Sequence, residues 1–385
     1  VDSKYVVYRA EEDTSGVWEI YSARVDGSGS QVKLNGSLAP GGEVKDFDIS
    51  PNSGRVVYTA DQATDEVVEL YSVPVGGGAP LKLSAPLPPG GNVSYFDFSP
   101  DGNWVVYLAD QDVDEVFELY IVPVNGSTPP VRVNDTLVTD GDVEWFRVSP
   151  GGNYLAYAAD RVELYGLVLD GSSAPSKLNG PLVAQGDVVD FDFTPDGAYV
   201  VYTADQQADE RYNLYSVLLS GGAPKKLNQT VGPNEYVYGS YFSPDSSFLL
   251  YTVYSETSER NTLFSVRPDG SGPPQQVDDD TGVGHGVDSY WITNAGDRVI
   301  YEADQDTAGV YELYSAEPDG SGPAIKISGP MVAGGDVDRF DLSPDDSRVV
   351  YTADQDRDEV TELYAATLPE KPEEAIKLFL PVALR

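Results

Sequence analysis

From Phe96 to Val133 the chain reads FDFSPDGNWVVYLADQDVDEVFELYIVPVNGSTPPVRV, and almost the same string, FDISPNSGRVVYTADQATDEVVELYSVPVGGGAPLKL, runs from Phe47 to Leu83. Copies recur at a spacing of about 50 residues, and such fixed-period self-similarity decides the fold before any single motif does. Further copies begin near Phe146, Phe191, Ser240, Tyr290 and Phe340, and the N-terminal segment YVVYRAEEDTSGVWEIYSARV enters the pattern partway through. Each copy predicts four short strands: the FDxS segment, VVYTAD, ELYSVPV and a KL segment. The VVY and ELY runs are rich in β-branched and aromatic residues, as strands covered on both faces are. Pro100 with Asp101-Gly102, and Pro195 with Asp196-Gly197, suit tight connections in which Pro sets φ and Gly accepts a positive one.

Four-stranded units of this kind make a β-propeller when repeated radially. The competing solenoid needs atypical capping repeats, yet the last copy, DVDRFDLSPDDSRVVYTADQDRDEVTELYAATL, is among the most typical. The expected fold class is therefore all-β, a single propeller domain over residues 1–385 with eight blades of four-stranded antiparallel sheet. Blade boundaries fall near 1–43, 44–92, 93–142, 143–187, 188–236, 237–286, 287–336 and 337–385.

The succession SPDG, VVYTADQDxDE, ELYSV and GG-x-P-x-KL resembles the repeat of TolB-type propellers, over nearly the whole chain. The resemblance implies the propeller fold. It leaves function open, because this repeat occurs in binding modules, in periplasmic scaffolds and in the propeller halves of some peptidases. The chain departs from the commonest form of the repeat by carrying a longer acidic loop at its second turn.

The strand count is uneven. The VVY strand appears eight times, with its tyrosine at Tyr8, Tyr58, Tyr107, Tyr157, Tyr202, Tyr251, Tyr301 and Tyr351, while the FDxS strand appears seven times. Aligning Val6-Val7-Tyr8 with Val349-Val350-Tyr351 sets Val1 opposite Pro344, so the first blade is expected to lack its innermost strand. The closing strand of the last copy, Ala375 to Leu378, is followed by an apolar tail, Phe379 to Arg385. An apolar terminal strand and an unpaired sheet edge invite strand addition, so a protein partner, or self-association into a filament through blade one and the tail at 379–385, is a partner expectation.

Composition narrows the function classes. Sixty-three acidic residues against 24 basic ones give a formal charge of −39, a field that repels nucleic acid and anionic membranes. No run approaches the roughly 20 apolar residues of a membrane span. Cysteine is absent, so neither disulfides nor thiolate metal sites hold the fold. Asn-x-Ser/Thr triplets at Asn35, Asn92, Asn125, Asn134 and Asn228 lie at expected turns or strand edges, where a glycan could project. The expected location is extracellular, cell-surface or periplasmic.

Two carboxylate sets are candidate sites. The acidic loop between second and third strands reads Asp110-Gln111-Asp112-Val113-Asp114-Glu115 in one copy and Asp354-Gln355-Asp356-Arg357-Asp358-Glu359 in another. Alternating carboxylates in a turn can converge on Ca²⁺, which takes roughly six to eight oxygens. Asp110, Asp112, Asp114, Glu115, Asp354, Asp356, Asp358 and Glu359 are thus the candidate metal ligands, with Ca²⁺ the one cofactor considered. The competing reading is a solvated acidic hairpin. The second set, Asp48, Asp97, Asp192 and Asp341, lies on first strands and gives way to Arg147, Tyr241 and Trp291 in other blades. A residue that recurs in every similar repeat usually serves the repeat.

Catalytic signatures are missing from the sequence. The sole histidine, His285, sits among glycines with no serine elbow, and no Asp-box is present. The leading expectation is a non-enzymatic extracytoplasmic module for protein interaction or structure. The alternative is a carbohydrate-active enzyme using axial carboxylates. A unique, asymmetric cluster would favour the enzyme, and evenly repeated side chains would favour the module.

Overall fold

The computed structural model describes residues 4–160, 162–279, 282 and 284–369. Among these residues all regular structure is β, in eight antiparallel sheets spanning 5–33, 44–82, 93–132, 143–177, 188–226, 235–276, 287–326 and 337–367, numbered one to eight here. Sheets two to seven each have four strands in simple sequence order. The chain is a β-propeller. No helix is long and apolar enough to cross a membrane among the described residues.

Among the described residues sheet one holds three strands, Tyr5–Ala10, Glu19–Arg24 and Val32–Lys33, with no counterpart of the FDxS strand. Sheet eight shows Val337–Leu342, Arg348–Ala353 and Glu362–Thr367. Its expected closing strand at 375–378 and the tail at 379–385 lie outside the described residues. The chain forms two compact units: sheets one to five with the short segment Pro268–Gly270, and sheets six to eight.

In each sheet the two long central strands pair so that their aromatic residues face each other. Tyr58 opposes Tyr71, Tyr107 opposes Tyr120, Tyr251 opposes Phe264 and Tyr301 opposes Tyr314, with ring centroids 5.2–5.6 Å apart and near-parallel planes. The tyrosine rings are buried, yet their hydroxyls are served locally. Tyr107 donates to Gln111 at 2.9 Å, and Tyr120 donates to Glu118 at 2.9 Å. In sheets one, two, three and seven the buried Glu of the ELY-type strand in turn meets a cation from the short strand that follows, as Arg132 meets Glu118 at 2.6 Å and Lys82 meets Glu69. Thus the KL segment closes the sheet by charge as well as by backbone pairing.

Apolar side chains between consecutive sheets make the core. Val57, Leu70 and Leu83 of sheet two pack on Phe96, Val105 and Tyr107 of sheet three, and Ile300 and Leu313 of sheet seven pack on Val337, Val349 and Tyr351 of sheet eight. A second repeated peg reaches the third strand from the loop after the fourth. Asn35 accepts the Ile20 N–H at 3.0 Å, Asn134 that of Leu119 at 2.9 Å and Asn228 that of Leu214 at 2.9 Å. These three carboxamides are buried, which corrects the expectation that glycans project from them.

The first strands of sheets two to five, seven and eight carry the same irregularity. Register slips by one between Val44 and Asp46, and likewise in sheet seven between Val287 and Ser289 and in sheet eight between Val337 and Arg339. Such a bulge bends the strand and re-aims one side chain. The extra residues are Lys45, Ser94, Glu144 and Val189 in the first unit, and Asp288 and Asp338 in the second.

Replacing Tyr107 by Ala removes one fully buried ring from such a pair and is expected to cost roughly 3–5 kcal/mol, the range for large aromatic truncations. Tyr107→Phe, which leaves the stack and removes only the bond to Gln111, should cost about 1 kcal/mol. Urea unfolding midpoints of the two variants check this ordering, and equal midpoints would show that the ring pair is dispensable.

Candidate functional site

The acidic turns are organised by their first residue. Asp110 is buried; one carboxylate oxygen accepts the Asn92 N–H and the other the Glu115 N–H at 3.1 Å. Asp354 likewise takes the N–H groups of Asp336, at 2.5 Å, and Glu359, at 3.0 Å. These backbone donors hold the Asp354 carboxyl below the usual carboxylate range. Glu115 and Glu359 stand at φ of 60° and 59° to complete the turn.

The other predicted ligands disperse. Asp112 pairs with Arg132 at 3.3 Å, and Asp114 lies over Gly90, where an added Cβ would come within 2.5 Å of its carboxylate. Asp358 covers Gly334 in the same manner, and Asp356 lies near the Tyr364 hydroxyl, whose pKa burial and the nearby acids push up to about 12. Among the described residues no three His, Asp or Glu side chains converge to hold a metal ion.

The first-strand acids serve their own turns. Asp48, Asp97, Asp192 and Asp341 each accept the backbone N–H of the next residue, at 2.7–2.8 Å. Burial, with the charge of Asp48, pushes the Asp97 carboxyl up. Arg147, which replaces this acid in sheet four, donates from Nε to the Phe191 carbonyl at 2.9 Å. His285 is a turn residue, with its N–H on Asp304 at 3.0 Å and its ring Nδ1 beside the Glu259 carbonyl at 3.1 Å.

A different set of side chains forms a cavity of about 380 Å³ on the first strands of sheets seven and eight, lined by Asp288, Ser289, Tyr290, Trp291, Glu302, Asp338, Arg339, Phe340, Asp341 and Leu342. Glu302 is its buried acid, with 6% of its surface exposed. It stands opposite Ser289 across the ladder, and Oε2 accepts the Ser289 hydroxyl at 3.0 Å. Burial pushes its carboxyl up to about 7, and the charges of Asp288, Asp336 and Asp338 reinforce the effect. A carboxyl with that pKa holds its proton to near-neutral pH and can still release it.

The wall opposite in character is aromatic. Trp291 is 49% exposed and its ring centroid is 4.8 Å from that of Tyr241 in sheet six. Tyr290 fits because Gly239, at φ +60°, leaves room: a Cβ there would come within 2.8 Å of the Tyr290 hydroxyl. Asp288 and Asp338 reach the cavity from the bulges described above. The cavity therefore combines a buried acid that holds its proton to near-neutral pH, further carboxyl groups and an exposed indole face.

Reading the repeat for its common residues passed over Glu302. The signal was in the sequence: VVYTAD becomes VIYEAD in this one copy, and the aligned positions elsewhere are Arg9, Thr59, Leu108, Ala158, Thr203, Thr252 and Thr352. Substitutions against the repeat mark where one sheet does something the others do not.

No family model matches the chain, and no curated protein matches it. Solved structures do. Dipeptidyl peptidase 4 of Porphyromonas gingivalis aligns over 91% of this chain with a TM-score of 0.54 at 14% identity, and the chain spans 55% of that protein's length. An oligogalacturonate lyase from Vibrio parahaemolyticus aligns over 95% of this chain and 98% of its own, with a TM-score of 0.43 at 13% identity. A prolyl endopeptidase aligns over 92% of this chain and 53% of its own, with a TM-score of 0.45 at 13% identity.

The likeness at this identity is one of fold, and the fold is one that a dipeptidyl peptidase uses. It corrects the expectation of a non-enzymatic interaction or structural module. That expectation rested on acids recurring evenly around the repeat, whereas Glu302 has no counterpart in any other copy.

Because Glu302 binds its proton more tightly folded than unfolded, it stabilises the fold at low pH, and that contribution is lost as pH rises from about 4.5 to about 7. Glu302→Gln, which cannot ionise, should escape this loss. Thermal unfolding of both proteins from pH 4 to pH 8 should show the variant gaining on wild type across that window. A constant difference would mean that Glu302 ionises as freely folded as unfolded.

Proposed function

We propose that this protein is an extracytoplasmic carbohydrate-active enzyme that cleaves glycosidic bonds by acid–base chemistry in the cavity of sheets seven and eight. The observation that carries this reading is Glu302, a buried carboxyl protonated to about pH 7 that lines a cavity with three aspartates and an exposed tryptophan. Paired carboxyl groups of unlike protonation are what glycoside hydrolysis requires. An exposed indole face gives a sugar ring an apolar platform. The resemblance of the repeat to TolB-type propellers is compatible with an extracytoplasmic setting, as is the charge of −39.

In this reading Glu302 gives its proton to the departing glycosidic oxygen. Asp288, whose charge acts on Glu302 most strongly among the neighbouring carboxylates, faces the positive charge that develops on the sugar ring. Water adds to the anomeric carbon, and its proton restores Glu302. Ser289 keeps the acid in place through its bond to Oε2.

Release of reducing ends from a panel of polysaccharides tests the proposal. With a positive substrate, Glu302→Gln should lower kcat by about 10²–10⁴-fold, the usual contribution of a general acid, with little change in KM. Asp288→Asn should also lower kcat, and wild-type kcat should decline above pH of about 7 as Glu302 ionises. A turnover rate indifferent to Glu302→Gln would refute the assignment.

A further inference from the structure

The cavity is charged in one sense. Four of its lining residues are carboxylic acids, Asp288, Glu302, Asp338 and Asp341, against one cation, Arg339. Arg339 is already spent in part, since its Nε is 3.9 Å from Asp338, and its side chain is 83% exposed. Asp288 and Asp338 are bulge residues, and in the first unit the same place holds Lys45, Ser94, Glu144 or Val189. The doubled aspartate is thus a feature of this cavity and not of the repeat.

Glu302 supplies a second, independent sign that a ligand belongs here. It is more than nine-tenths buried and lines the cavity, and only one of its oxygens is engaged, Oε2 with Ser289. Oε1 has no protein partner among the described residues. Oε1 is open to the cavity, where a ligand atom can reach it. A glycosidic oxygen set over Oε1 shares the cavity with Trp291, Asp338 and Asp341.

Resting on the glycoside-cleaving reading, we infer that the substrate is a polymer of amino sugars, whose protonated amines pair with Asp338 and Asp341 while Glu302 faces the linkage. An ammonium brings three donors to carboxylates that are otherwise short of cations. The protein's net charge of −39 works in the same direction at long range, drawing cationic chains and repelling uronates. Neutral sugars gain the stack on Trp291 but not the ion pairs.

The test is calorimetric titration with tetramers of glucosamine, of N-acetylglucosamine and of galacturonate, at pH 5.5, where the sugar amines are protonated, and at 50 and 500 mM NaCl. The glucosamine tetramer is expected to bind at least tenfold more tightly than the acetylated one at low salt, with the advantage shrinking at high salt and the uronate weakest. Asp338→Asn should remove most of that advantage, weakening the glucosamine tetramer far more than the acetylated one. Asp356→Asn, which removes a charge outside the cavity, should change neither affinity, so a loss there would assign the preference to net charge and overturn the inference. Equal or tighter binding of the acetylated or uronate tetramer, with Trp291→Ala still weakening it, would overturn the amino-sugar assignment while leaving the carbohydrate reading intact. Failure of all three to bind, in protein shown to be folded by its thermal transition, would overturn both.

Discussion

Each sheet depends on a pair of aromatic rings stacked across its two central strands. The rings supply the buried area that makes a four-stranded unit worth packing against its neighbour, but a tyrosine also brings a hydroxyl that must be satisfied inside. The repeat answers both demands in a few residues. Gln111 takes the hydroxyl of Tyr107, Glu118 takes that of Tyr120, and Arg132 then neutralises Glu118. An acid that would be expensive to bury alone is thereby bonded on two sides. The same logic places Lys82 beside Glu69, and it explains why a KL or VRV segment of only two paired residues ends each unit.

With the strands held in this way, the turns are free to carry charge. Asp110 and Asp354 are acids whose work is to fasten backbone N–H groups, and they recur for that reason. The bulge near the start of the first strand has a different consequence. It recurs as backbone geometry, but the residue placed on it is under no repeat constraint, so sheets can differ there without loss of fold. Sheets seven and eight use it to bring Asp288 and Asp338 to a cavity whose base is Glu302. A regular scaffold with one irregular position per unit is thus well suited to building a single asymmetric site.

How far the sequence could be read follows from this division. Strand order, the eight-fold repeat and the turn residues were all legible, because each repeats and each has a local physical cause. Glu302 was legible only as an exception: a glutamate where threonine is usual announces a difference, but a side chain on a strand of alternating faces does not reveal what it faces. Asn35, Asn134 and Asn228 misled in the opposite way. Their triplets suit an exposed turn, and only packing shows that the carboxamides point inward to the third strand.

The sequence by itself determined the class of fold and the composition of every turn, since hydrophobic pattern, turn chemistry and repeat length act over neighbouring residues. Tertiary structure decided which of the many acids matter. Sixty-three carboxylic side chains look alike in a string of letters. Their pKa values separate only when burial strips water from one of them and sets others beside it, and that happens at Glu302, whose ladder partner Ser289 lies 13 residues away and whose charged neighbour Asp338 lies in another sheet. Desolvation and through-space charge belong to the packed molecule, so no local pattern encodes them.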